Sequence, residues 1–239
     1  MNDQERAYEA LRVTNWLCAC MEAYNDEVVD KFKRGTKFPY FQRFVKTDDK
    51  RNVWHLLFYI LTKEMKKKCL YYTMAYTVFD VPPKRKRNDN NAGKGCILFD
   101  PITMKRMLDG DPHARGAVVE IEPHAFHRYK DRHLIIRGKE KTEIDYKLES
   151  MLKRWKWFDV AADIFGDENA KKHMRDGSIP YDVIMRGGGL LRGQMENDIF
   201  IRFTTYISED QMFENQIERQ EDMEKEYYYI KRTQKNFLP

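Results

Sequence analysis

Three runs dominate the first half of the chain. Residues 37–46, 53–62 and 69–80 are rich in Phe, Tyr, Val, Ile and Thr and are separated by polar turns. β-branched and aromatic side chains fit a pleated surface, so this pattern predicts antiparallel strands. Within 53–62 both alternating sets are apolar, Trp54, Leu56, Phe58 and Ile60 against Leu57, Tyr59 and Leu61. A helix therefore stays open there, with strand the preferred reading. Residues 96–99 and 117–121 add two short strands, with a small helix expected over 102–108. Ahead of them, residues 8–32 carry Leu11, Trp16, Leu17, Cys20, Met21 and Tyr24 at helical spacing, an amphipathic helix fit to pack on a sheet.

The second half is read as helix, helices, strands and helix. A short helix starts at Pro123, and helical stretches follow at 142–165 and 167–175. Strands are then expected at 182–186 and 190–194 around Gly187-Gly188-Gly189, with a third at 199–207, making a three-stranded meander. The glycines lack the Lys-Ser or Lys-Thr of a phosphate loop. Ser208 is placed as the N-cap of a charged helix over 208–232, with Glu209 and Asp210 in its first turn. The expected fold is α+β: antiparallel sheets, an N-terminal amphipathic helix, a central His/Arg helix and a C-terminal charged helix. Two parts are expected, 1–116 and 117–239, with a soft boundary that also allows one composite domain.

A chain of 239 residues can bury a sizeable core unaided. Cys18, Cys20, Cys69 and Cys96 lack zinc-ligand spacing and read as reduced residues. The polar N-terminus is not followed by an unbroken apolar run, so neither a secretory signal nor a membrane span is expected. That implies a cytoplasmic protein.

The net charge of +5 is unevenly placed, because residues 51–100 hold ten Lys or Arg against four Asp or Glu. Lys66-Lys67-Lys68 and Lys84-Arg85-Lys86-Arg87 supply the excess, the second within a Pro-, Asn- and Gly-rich loop. Such a loop suits a polyanion, and Lys84, Arg85, Lys86 and Arg87 are nucleic-acid-binding candidates. The plainer alternative is a solvated connection. The acidic stretch 209–226 is read the same way: a solvated face, or a surface for a protein partner or another copy.

Chemistry concentrates in residues 122–133, which hold His124, His127 and His133, three of the six histidines, with Arg128 and Arg132. Pro123 suits the first helical position. His124, Arg128 and Arg132 then recur every four residues on one face, while Phe126, Tyr129 and His133 take another. A histidine near helix N-terminal amides is disfavoured as a cation, and two guanidinium groups favour phosphate oxygens. Metal-independent RNA cleavage needs that combination: a base for the ribose 2′-hydroxyl and cations for the phosphorane. The alternative is an ordinary amphipathic surface helix. A metal site built on His124 and His127 lacks the Glu of a zincin pattern, and no cofactor is expected.

On the last strand, alternation places Ile199, Ile201, Phe203, Thr205 and Ile207 on a core face and Phe200, Arg202, Thr204 and Tyr206 on the other. Arg202 and Tyr206 are expected to reach a phosphate at the helix, with Arg192 as a further nucleic-acid-binding candidate.

The His-Ala-x-x-Arg-x-x-x-Arg helix at His124 to Arg132, with the Thr-Thr-Tyr element after Arg202, resembles the barnase, EndoU, colicin and RelE superfamily of RNases and toxins. The likeness spans about residues 117–220. It implies a catalytic set of His124, Arg128, Arg132, Arg202, Thr204, Thr205 and Tyr206, RNA as substrate and a protein inhibitor as partner. The His-x-Phe-x-Arg-Tyr run is also similar to bacteriophage and mobile-element proteins, which implies such an origin and no activity. The second functional expectation is accordingly a non-catalytic nucleic-acid-binding or assembly protein.

Overall fold

The structure, a computed structural model, describes residues 3–34, 40–60, 63–67, 71–83, 92–111, 114, 116–135, 143–154, 178–185, 188–196, 199–212, 214, 217–218, 221–222 and 225. It is α+β. No described helix is long and apolar enough to cross a membrane. The chain divides into two compact units, Met1–Pro123 with Met195–Arg202, and His124–Gln194 with Phe203–Pro239.

In the first unit α1 (Asp3–Arg34) precedes β1 (Tyr40–Thr47), β2 (Val53–Ile60), a short α2 (Lys63–Lys67), β3 (Tyr72–Val81), β4 (Gly93–Phe99), α3 (Pro101–Leu108) and β5 (Val118–Ile121). The strands lie in chain order, and each neighbouring pair is antiparallel. The apolar stripe of α1, Ala10, Val13, Leu17, Met21, Val28 and Phe32, packs against Trp54, Leu56, Phe58 and Ile60 of β2. Each such fully buried side chain stabilises the fold by about 1.5–3 kcal/mol. Tyr24 stacks on Phe44 with centroids 4.0 Å apart, and Phe44 meets Phe58 edge-on at 5.7 Å. The ambiguity over 53–62 ends in a strand buried on both faces, since Leu57 and Tyr59 are as enclosed as Leu56 and Phe58. Two-sided burial explains why period 2 was invisible there.

Two carboxylates fix turns in this unit. Asp100 caps α3, accepting from Ile102 N at 3.0 Å, Thr103 N at 3.1 Å and Thr103 Oγ1 at 2.6 Å. Asp48 closes the β1–β2 hairpin, accepting from Lys50 N at 3.0 Å, Asn52 N at 2.8 Å, Asn52 Nδ2 at 3.0 Å and Trp54 Nε1 at 3.1 Å. Its turn places Arg51 at φ 66°.

Then α4 (Pro123–Tyr129) runs into a π-helical turn (Lys130–Ile135), followed by α5 (Ile144–Arg154), β6 (Ile179–Ile184), β7 (Leu190–Glu196) and β8 (Phe200–Ile207), all in the second unit except Pro123, the end of β7 and the start of β8. β8 lies beside β7 and β7 beside β6, the expected meander. Gly188 and Gly189 carry the β6–β7 turn at φ +91° and +84°, where other residues are strained. Of the helices expected at 142–165 and 167–175, residues 155–177 lie outside the described residues. One expectation is corrected at the end of β8. Ser208 heads a 3₁₀ turn, Glu209–Gln211, and its side chain makes no capping bond, while the described residues 214, 217–218, 221–222 and 225 beyond it are helical. Asp, Asn, Ser and Thr mark turns as readily as helix starts, so the residue type alone does not separate them.

Asp48 yields a prediction. Burial pushes its carboxyl up, but bonds from the Asn52 side chain, the Trp54 indole, the Asn52 backbone and Arg12 outweigh this and leave it below the ordinary value of 3.8. Asp48→Ala strands buried donors and should lower the unfolding free energy by about 3 kcal/mol at pH 7. A depressed carboxylate contributes stability above its unfolded value that is lost as pH falls through the folded one. In denaturant titrations the gap between wild type and variant should therefore narrow below about pH 4.

Candidate phosphate-binding site

Helix α4 buries one side and presents another. Ala125, Phe126 and Tyr129, with His133 and Leu134 of the π turn, are buried. His124, Arg128, Lys130 and Arg132 are half-buried, and His127 and Asp131 are exposed. Tyr129 is held on three sides: its hydroxyl lies 2.8 Å from Ser150 Oγ, its ring stacks on His133 at 5.0 Å, and it meets Tyr206 edge-on at 5.1 Å.

On the open side Arg128 Nε donates to His124 Nε2 at 3.4 Å, so the four-residue spacing brings this pair together. Arg132 follows in the π turn, whose wider winding changes the angular step after Tyr129. Its Nη1 donates to Tyr206 O at 2.8 Å, which ties the helix to β8. The Arg132 guanidinium is held below its ordinary value by burial first and by the charge of Arg128 second, opposed by Asp210, Asp131 and Tyr206. Among the described residues neither Arg128 nor Arg132 forms an ion pair with a carboxylate. Two neighbouring, partly desolvated guanidinium groups of this kind favour an anion between them.

Sequence reasoning missed one cation here. Lys147 of α5 is half-buried and pulled down, by burial first and then by the charge of Lys130. Its neighbourhood is a tertiary contact that no spacing encodes.

The strand residues do not behave as expected. Tyr206 is a core residue, 1% exposed, because Tyr129 covers the face that alternation assigned to solvent or a site. Its hydroxyl donates to Gly188 O at 3.5 Å. A Cβ on Gly189 would collide with that hydroxyl and stand 2.7 Å from Ile207 O, so the glycine turn is shaped to admit Tyr206. Thr205, expected in the core with Ile201 and Phe203, is instead half-buried. Thr204 Oγ1 lies 3.5 Å from Arg192 O across the hairpin.

Arg202, in the first unit, stands between two acids, Glu120 at 3.4 Å and Glu196 at 3.6 Å. Arg192 pairs with Asp182, Nε at 3.4 Å and Nη2 at 3.3 Å. Both arginines thus have carboxylate partners that the strand pattern did not reveal. Lys84, Arg85, Lys86 and Arg87 lie outside the described residues. No three His, Cys, Asp or Glu side chains come together as a metal site among the described residues.

No protein-family model, curated protein or solved structure matches this chain.

The geometry assigns Tyr206 to packing, which separates two variants. Tyr206→Phe should cost less than about 1 kcal/mol, since the lost bond is long and neutral. Tyr206→Ala should cost about 3–5 kcal/mol. Denaturant unfolding checks both, and a Phe variant as unstable as the Ala variant would contradict the packing role.

Proposed function

We propose that the protein binds nucleic acid through the phosphate backbone, with Arg128 and Arg132 of the second unit as the clamp. The observation carrying this reading is the pair of neighbouring, half-buried guanidinium groups that no described carboxylate engages in an ion pair. RNA is the preferred partner, on the resemblance of the His124 to Arg132 helix to RNase helices. Phosphate contacts of this kind position a strand without reading its sequence. Arg132, bonded to Tyr206 O, holds a fixed orientation, and Arg128 stands beside His124.

The Arg128–His124 contact also favours a second reading, RNA cleavage. His124 would take the proton of the ribose 2′-hydroxyl as its oxygen attacks phosphorus, and the leaving 5′-oxygen would take a proton from solvent. The burial of Tyr206 removes the phenol expected to reach a phosphate at the helix, so binding ranks first. Arg202, Thr204 and Thr205 belong only to this second reading.

Binding is tested by titrating labelled single-stranded RNA at several salt concentrations. Wild type should bind with a salt-dependent affinity, and Arg128→Ala should weaken binding and lower the salt slope by about one phosphate contact. An unchanged slope, or no binding by wild type at low salt, would sink the proposal. Incubation with RNA in EDTA separates the second reading. Cleavage that His124→Ala slows by about 10²–10⁴-fold supports it, and bound but intact RNA excludes it.

A further inference from the structure

Ser208, in the second unit, is 6% exposed, and its hydroxyl makes no hydrogen bond among the described residues. A buried hydroxyl left unpaired is costly, so its surroundings matter. Ser208 continues β8 in extended backbone, φ −80° and ψ 158°, and alternation therefore puts its side chain on the same side as that of Tyr206. That is the side on which Tyr129 of α4 covers Tyr206. Arg132, in the turn that follows Tyr129, donates to Tyr206 O at 2.8 Å and feels the charge of Asp210. Ser208 lies between those two residues, which brings its hydroxyl to the Arg132 end of the clamp. Of the acids beside it, Glu209 turns toward Gly188, and Asp210 is exposed, where salt and water screen its opposition to an anion.

We propose, resting on the phosphate-clamp reading above, that Ser208 is a third contact of that site and that its ligand is the terminal phosphate of an RNA strand, a phosphomonoester. An internal phosphodiester offers two non-bridging oxygens and a single negative charge, which a pair of guanidinium groups satisfies. A terminal monoester carries a third free oxygen and most of a second charge. Arg132 keeps N–H donors beyond the one given to Tyr206 O, and the Ser208 hydroxyl supplies a donor for the third oxygen. Depth supports the same choice. A hydroxyl below the surface is reached by an oxygen at the end of a strand, whereas the sugars on both sides of an internal phosphate hold it away. Binding would then pair a hydroxyl that the fold leaves unbonded.

The test is a fluorescence anisotropy titration of the full chain with one labelled single-stranded RNA in three forms, bearing a 5′-phosphate, a 3′-phosphate, or hydroxyls at both ends. One phosphorylated form should bind roughly ten-fold tighter than the hydroxyl-ended form, the effect of one added charge-assisted hydrogen bond, and the comparison identifies the end. Ser208→Ala should abolish that preference and leave the hydroxyl-ended RNA bound as by wild type. Because the substitution removes a group that bonds to nothing, the variant should melt at the wild-type temperature. Equal binding of all three forms, a preference that survives in Ser208→Ala, or a lowered melting temperature that assigns the hydroxyl to the fold would overturn this inference and leave the clamp standing. Failure of all three forms to bind would remove the clamp as well.

Discussion

The seat of Tyr206 is the constraint on which the second unit and its candidate site depend. Its ring meets Tyr129 of α4 edge-on, its hydroxyl reaches Gly188 O, and its carbonyl accepts from Arg132. One residue therefore joins the helix, the glycine turn and the strand. The turn must carry glycine for two reasons that act together, a positive φ and the absence of room for a Cβ beside the Tyr206 hydroxyl. Arg132 is oriented by the same strand, so the direction of a guanidinium in the proposed clamp is set by backbone hydrogen bonding rather than by a flexible surface rotamer.

The first unit depends on a different device. An apolar helical stripe meets a sheet whose second strand is apolar on both sides, and aromatic pairs such as Trp54 with Phe99, centroids 5.1 Å apart, fill the space between. Among the described residues its two buried carboxylates stand at a turn and a helix cap. Asp48 and Asp100 each gather several donors from the residues that follow, which satisfies backbone N–H groups where the chain reverses or a helix begins.

Most secondary structure was legible in the chain. α1, β1 to β5, α3 and the β6–β8 meander all follow from apolar periodicity and turn residues, because both are local properties. The His124–Arg128 contact was legible too, since four-residue spacing brings side chains together on an α-helix. The strand side of the site was not. Alternation placed Tyr206 opposite Ile201 and Phe203 but could not say that Tyr129 would cover that side. Arg202 and Arg192 were read as available cations because their partners, Glu120, Glu196 and Asp182, come from neighbouring strands. Ser208 carried a capping signal, yet it heads a 3₁₀ turn and its side chain makes no capping bond.

What the sequence by itself determined is the set of elements and the side chains on each face, since those depend on periods of 3.6 and 2 and on the conformations allowed to Gly and Pro. Only the tertiary structure decided which faces are covered and which charges are neutralised. The physical reason is that burial and ion pairing join residues far apart in the chain. Arg132 and Tyr206 stand 74 positions apart, and nothing local to either encodes the bond between them.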